Sequence, residues 1–391
     1  MAIENEKGDA LEWSADFEQG RAANVHLRKD GAIGFSIPSE PGGDEYLWFF
    51  FRVAMKNQQR AEFVLENAAG AHQTGKRWKI TKPFASTDGR NWIRTTGISY
   101  AKESGLGNLL SPPVFRFQSP VSADTLWVAY FQPYTISDLE SFLSGIEKYP
   151  GVVISILGRS EENRDIPLLR IANPEPAEGA EKQTIWVVCR EHPGETPASF
   201  VCEGMIRALL DHPAGKRLRS AFSFAIVPML NVDGVARGYY YHNARGVNLA
   251  RDWVDFKSAE VRALRAALLE NGRMDTPRLM LNLHSSNDPG KGHFFLIIPS
   301  DRLKPEDAEF QRTILEAGDR NHPQLQGHST VKLLGLPGIT GNALYRQYDL
   351  YSIYLESNYS RGADGSLVTV ESLRAVGAAL VQTLAEVLTP E

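Results

Sequence analysis

Along the first 130 residues, apolar positions come in short runs or alternate with polar ones: GAIGFSI, EYLWFFFRV, RAEFVLEN, RWKI, VFRF and LWVAYF. Turn-rich pieces such as SEPGGD, STDGRN and QSPVSAD separate them. Short strands at this spacing predict an antiparallel β-sandwich. No segment of this stretch carries a helical period. After FQPYT the texture changes. Ser137 with Glu140 predicts a capping box for a helix through SDLESFLSGIEKY. Strand-like runs follow: VVISIL, PLLRIA, TIWVVC, FSFAIVPML, RLMLNLH, FFLIIP and YSIYLES. They alternate with helical stretches such as PASFVCEGMIRALLD, SAEVRALRAALLEN, EDAEFQRTILEAG and VESLRAVGAALVQTLAEVL. That alternation predicts an α/β domain with a mixed, largely parallel sheet. The boundary is expected near residue 135, giving an amino-terminal β-sandwich over 1–135 and an α/β domain over 136–391. NPEPAEGAEK (173–182) reads as a surface loop.

A length of 391 residues favours two domains. The 42% hydrophobic and 23% charged content is that of an ordinary globular chain. With 42 Lys plus Arg against 47 Asp plus Glu, the formal net charge is −5, which lacks the footprint of a nucleic-acid binder. Only two cysteines are present, Cys189 and Cys202, too few for a disulfide scaffold or a Cys-rich zinc module. The start, MAIENEKGDALEW, has neither a basic n-region nor an apolar h-region, and no apolar run is long enough for a membrane span. A cytoplasmic location, no nucleic-acid partner and no membrane contact are the expectations. Any metal site must come from the nine His and the carboxylates.

Gly70–Lys76 reads G-A-H-Q-T-G-K, a phosphate-loop pattern as far as its lysine. Arg77 stands where a hydroxyl should hold Mg²⁺, and RWKITKP reads as a strand rather than a helix. Without a helix N-terminus the anion site is lost, so a hairpin turn is expected. The informative segment is TIWVVCREHPGETPASF. A buried strand pattern ends at Cys189, Thr196 suits an N-cap and Pro197 the first helical position. His192 and Glu195 lie between them, at the strand end where ligands of α/β sheets bind. Both are Zn²⁺ ligand types, and three such ligands with an open position make a catalytic site. The H-x-x-E spacing alone is cheap: with nine His it arises by chance in roughly one chain of two. His284 follows the apolar run LMLNL directly. Glu356 ends SIYLE, where an uncompensated carboxylate is costly and a general base for an activated water is one reason to keep it. These four residues point to a metal hydrolase. No G-x-S-x-G elbow exists for a serine hydrolase, and Cys189 reads as a buried structural thiol.

At these residues the sequence resembles the zinc metallocarboxypeptidases, and within them the cytosolic carboxypeptidases. REHPGETPAS is similar to R-x-HPGE-T, NVDGV (231–235) to NPDGV, GVNLARDW (246–253) to GVDLNRQW, and YLESNYS to T-M-E-S/A-T-F. FEQGRAANV (17–25), WFFFRV (48–53) and YFQPYTISDL (130–139) resemble that subgroup's amino-terminal β-domain, and ILGRSEENRDIPLLRIANP (156–174) its entry to the peptidase domain. The resemblance implies that His192, Glu195 and His284 hold one Zn²⁺ and that Glu356 is the general base. It implies that Arg251 grips the free C-terminal carboxylate of a peptide or protein tail, a planar anion that suits a guanidinium fork.

Three departures stand out. Ala250 replaces the Asn before the carboxylate-binding Arg. Tyr241, in GYYYH, aligns with the Arg that stabilises the oxyanion; a phenol supplies one hydrogen bond without charge, and Arg237 or Arg245 are alternatives. Asn342, in T-G-N, stands where glutamate-trimming members carry a basic residue in T-G-R. Tyr345 and Tyr348 are positional candidates for the family's mobile tyrosine. The resemblance therefore implies a zinc carboxypeptidase acting on C-terminal peptide bonds. Alternatives are a related zinc deacylase or amidohydrolase acting on small N-acyl amino acids, and a catalytically weak peptidase-like binding scaffold. The sequence leaves the oligomeric state open.

Overall fold

The computed structural model describes residues 2–4, 10–43, 46–54, 61–71, 75–103, 111–173, 183–269 and 277–389. Among them the first 130 residues form two facing sheets. One holds six strands, in the order Ala2–Glu4, Ala10–Ser14, Phe50–Ala54, Thr125–Ala129, Phe84–Ser86, Ile93–Arg94. The other holds five: Ala23–Leu27, Ile33–Ser36, Glu62–Leu65, Val114–Gln118, Thr96–Ala101. The period-two rule places side chains on alternate faces, and WFFFRV obeys it. Phe49 and Phe51 turn inward onto Phe35, with ring centroids at 5.2 and 5.0 Å. Phe50 points to the opposite face, against Phe17, Trp92 and Trp127 at 4.8, 5.7 and 5.8 Å. The sandwich is not wholly antiparallel, because Ile33–Ser36 and Glu62–Leu65 run parallel. The chain between them crosses to the other sheet as Phe50–Ala54 and returns, which a hairpin would not allow.

The rest of the chain builds the α/β part. Its eight-stranded sheet has the order Val152–Arg159, Asp165–Ile171, Ser223–Val227, Thr184–Cys189, Pro277–Ser286, Ser352–Asn358, Phe294–Ile297, Ser329–Lys332. Four of the pairs are parallel and three antiparallel, the mixed, largely parallel sheet expected. The central strands are largely apolar before their carboxyl ends, as strands covered on both faces are. Thr184–Cys189 is buried at every position. Among the described residues no helix is long and apolar enough to cross a membrane.

Local starts differ from the sequence reading in three places. The helix Ile136–Ile146 opens on Thr135 with Asp138, which form the capping box. Ser137 is unavailable as a cap because its hydroxyl donates to Glu18 of the sandwich at 2.7 Å. Glu195, rather than Thr196, occupies the N-cap position of helix Thr196–Asp211, without a side-chain cap. Gly75–Trp78 is one helical turn instead of part of a strand, anchored by the Trp78 indole donating to the Ala68 carbonyl at 2.9 Å. Residues 72–74 of the phosphate-loop lookalike and 174–182 of the expected surface loop lie outside the described residues.

Candidate metal centre

Three neighbouring parallel strands, Thr184–Cys189, Pro277–Ser286 and Ser352–Asn358, deliver the chemistry at their carboxyl ends. In register, Cys189 lies beside Leu283 and His284 beside Glu356. The turn after Cys189 then carries His192 and Glu195 over the same edge. One ligand atom from each of His192, Glu195 and His284 lies within 4.8 Å of the others.

The turn is held from below by Arg190. Its backbone sits at φ +61, and its guanidinium is buried. There it donates to the Pro193 carbonyl, to Ser199 Oγ at 2.8 Å and to the Tyr134 carbonyl at 3.3 Å. Gly194 is required by close approach: a Cβ there would lie 2.4 Å from the Tyr240 ring. The glycine of R-x-HPGE-T is therefore explained by the close approach it permits, and the arginine by the groups its guanidinium holds.

Glu195 is nearly buried and bridges the two imidazoles, with Oε1 2.9 Å from His192 Nδ1 and Oε2 3.0 Å from His284 Nδ1. Ser285 N donates to the same Oε2 at 2.9 Å. Burial alone would raise the pKa of Glu195. The charges of His192 and His284 and their hydrogen bonds outweigh it and hold the group down to about 2. Each imidazole is aimed by what its other nitrogen meets. His192 Nε2 donates to Asn248 Oδ1 at 3.2 Å. His284 Nε2 donates to Glu191 Oε2 at 3.0 Å.

Glu191 was missed by the sequence reading. It is fully buried, and besides His284 it accepts from Asn282 Nδ2 at 3.0 Å and Thr340 Oγ1 at 2.8 Å. Burial pushes its pKa up, but these partners more than reverse the shift. The turn residue beside a metal-type His thus supplies a carboxylate behind the other one.

Glu356 is half-buried on the strand next to His284. Its carboxylate makes no hydrogen bond or ion pair among the described residues. Loss of water contact, then repulsion from Glu195, pushes its pKa up to about 8. Tyr241 packs its ring edge-on against His192, centroids 4.8 Å apart. Arg251 closes the short 3-10 turn Leu249–Arg251, which begins after Asn248. It is exposed, and its guanidinium has no partner among the described residues. Asn342 sits in helix Thr340–Tyr348, with its amide donating to the Leu334 and Leu336 carbonyls at 2.5 and 3.0 Å. Arg237 and Arg245 are engaged elsewhere, by Glu162 at 2.6 Å and Glu161 at 2.8 Å. Tyr345 holds Asp307 at 2.8 Å, and Tyr348 accepts from Arg265 at 2.8 Å.

The donor set suits zinc. Two imidazole nitrogens and a carboxylate oxygen converge, each outer imidazole nitrogen is satisfied so that Nδ1 faces inward, and no thiolate takes part. Three protein ligands leave a coordination position for water and substrate.

Comparison with known proteins agrees with this architecture. Residues 139–266 match the zinc carboxypeptidase domain and residues 13–131 the cytosolic carboxypeptidase N-terminal domain. The chain belongs to the zinc carboxypeptidase family. Its β-domain and its relatives place it with the cytosolic carboxypeptidases. Mouse cytosolic carboxypeptidase 6 is 31% identical over 255 residues, covering 63% of this chain and 46% of its own length. The human protein of the same name is 39% identical over 255 residues, covering 63% and 50%. The chain thus spans about half the length of these curated relatives. A metallo-carboxypeptidase from Burkholderia cenocepacia shares the fold, with a TM-score of 0.83 over 97% of this chain and 99% of that one, at 24% identity.

Proposed function

We propose that this protein is a zinc-dependent metallocarboxypeptidase that removes residues from the C-termini of peptides or protein tails. The observation that carries the reading is the convergence of His192, Glu195 and His284 at parallel strand ends, with Glu356 in register beside His284. The β-sandwich before residue 135 and the catalytic unit after it act together. A Zn²⁺ ion held by the three ligands would supply Lewis-acid polarisation of the scissile carbonyl and of the attacking water. Glu356 takes a proton from that water and passes it to the leaving amine. The Tyr241 hydroxyl donates to the developing oxyanion. Arg251, whose guanidinium has no competing partner among the described residues, receives the terminal carboxylate. Asn342 contributes by holding the 334–336 loop rather than by selecting charge. The family likeness to proteins named cytosolic, with the buried thiols of Cys189 and Cys202, supports an intracellular site of action.

A mixed peptide library incubated with zinc-loaded protein and read by mass spectrometry tests this, with Glu356→Gln as the blank. Stepwise loss of C-terminal residues is expected, and Glu356→Gln should lower it by about 10²–10⁴ while zinc stays bound. Arg251→Ala should chiefly weaken substrates with a free carboxylate. Cleavage of amidated peptides as fast as free acids would sink the exopeptidase assignment. Ala250, which offers no side-chain donor to a terminal carboxylate, favours a second reading as a zinc deacylase. An intact library with turnover of N-acetyl or N-succinyl amino acids would establish that one instead.

A further inference from the structure

We infer that Glu40, a residue of the amino-terminal β-sandwich, is a positioning residue of the active site: it fixes the 240–242 segment and through it sets the Tyr241 ring beside His192. Glu40 lies in the S-E-P-G-G loop of the sandwich, and only 2% of its side chain is exposed. A carboxylate removed from water must find strong donors or destabilise the fold. Glu40 finds three consecutive main-chain amides: Tyr240 N at 2.7 Å, Tyr241 N at 3.1 Å and His242 N at 3.0 Å. The His242 ring nitrogen Nδ1 lies 3.4 Å away. Successive amides pointing at one anion form a concave cradle; here the anion is a side chain from 200 residues earlier in the sequence.

Both ends of this contact are braced. On the sandwich side, Arg21 donates to the Pro38 and Ser39 carbonyls at 3.1 and 2.6 Å, and its guanidinium lies over the Tyr239 ring at 4.9 Å. Beyond Glu40 the two backbones touch. Gly42 has φ +94 and Gly246 φ +76, and a Cβ on Gly42 would lie 2.2 Å from the Gly246 carbonyl oxygen. On the catalytic side, Gly194 N donates to the Tyr240 carbonyl at 3.1 Å. The Tyr240 and Tyr359 hydroxyls meet at 3.3 Å, and Tyr359 donates back to the Gly194 carbonyl at 3.3 Å. The segment bearing Tyr241 is therefore clamped between the sandwich carboxylate and the HPGE turn. A reacting geometry needs its supporting residues held this tightly, since a shift of about 1 Å can reduce rate by about 10². The sandwich is thus a wall of the active site and not an appendage to it.

This inference rests on the reading of Tyr241 as oxyanion donor, and the test separates the two. Glu40→Gln keeps the volume and removes the charge that gathers the three amides. Its kcat should fall by at least tenfold and by no more than Tyr241→Phe does, with KM changed by less than threefold and zinc content unchanged. In a Tyr241→Phe background, Glu40→Gln should lower kcat by less than threefold, and Glu40→Asp should recover part of the loss. Independently of activity, amide hydrogen exchange at 240–242 should quicken in Glu40→Gln. Additive losses in the double variant, or a lowered melting temperature with unchanged kcat, would reduce Glu40 to a structural staple and overturn the proposal. If the wild type cleaves no peptide, the function proposed above fails, and exchange at 240–242 still decides this one: unchanged protection overturns it. Should Glu40→Gln not fold, Glu40→Asp carries the same kcat and exchange measurements.

Discussion

The two imidazoles of the triad live in different surroundings. His284 lies near the end of strand Pro277–Ser286 and is 3% exposed. Behind it stands the Glu191 carboxylate, itself satisfied by Asn282 and Thr340. His192 sits in a turn, half-buried, with the neutral Asn248 amide behind it and the Tyr241 ring at its edge. One side of the site is fixed by the interior of the sheet, and the other by loops. The motif resembling GVDLNRQW reads GVNLARDW here, so Asn248 stands where that motif has Asp. His192 thus has a neutral amide behind it and His284 a carboxylate. A carboxylate in that place fixes ring orientation and raises ligand basicity.

The most forceful way to break the comparison is to delete each imidazole. His284→Ala leaves Glu191 as a buried charge without its cationic partner, a change that typically destabilises by about 3–5 kcal/mol. His192→Ala removes a ring whose outer partner is a neutral amide and leaves Glu195 with His284 and the Ser285 amide, so it should destabilise less, by about 1.5–3 kcal/mol for the lost bond to a charged group. Both variants should lose tight zinc binding. Denaturant unfolding of the metal-stripped proteins measures the difference, and equal losses would mean that the interior does not favour one side.

That contrast also explains what the sequence could and could not convey. His284 and Glu356 stood out because each ends an apolar run, LMLNL or SIYL, where a polar residue has to be accounted for. His192 and Glu195 stood out through their spacing at a strand end. Glu191 lies in the same turn, but a carboxylate beside a histidine looks like a solvated loop residue until strand register carries it beneath His284. Glu40 is less legible still, because its partners are main-chain amides, which no residue type marks, 200 positions away. The caps slipped for a related reason. Ser137 is taken by Glu18 of the sandwich, and Glu195 turns its carboxylate to the imidazoles instead of capping its helix. Patterns within one segment were readable. Contacts between segments far apart in the chain were not, and they decide these positions.

A milder probe leaves both imidazoles in place. Glu191→Gln is isosteric, keeps an oxygen acceptor and removes the charge. The amide NH₂ must also face one of three donors, so the aim of His284 loosens. Zinc affinity should weaken by about 10–100-fold, as read by chelator competition at fixed pH. The unfolding midpoint of the metal-stripped protein should fall less than in His284→Ala. An unchanged zinc affinity would show that the carboxylate is a structural acceptor only and that the comparison has no bearing on the metal.

The smallest expected effect sharpens the comparison most. Asn248→Asp places a carboxylate behind His192. If charge behind an imidazole strengthens its ligation, zinc should bind more tightly, by less than tenfold because His284 already has such a partner. In a Glu191→Gln background the same change should recover more affinity than it adds to the wild type, because the two carboxylates then substitute for one another. Chelator competition across the four proteins gives this coupling directly. Strict additivity would mean that the two imidazoles respond independently. A loss on Asn248→Asp would mean that a neutral acceptor serves His192 better than a charged one. In that case a neutral residue is needed behind the histidine nearest to Tyr241, where a further negative charge would oppose the developing oxyanion.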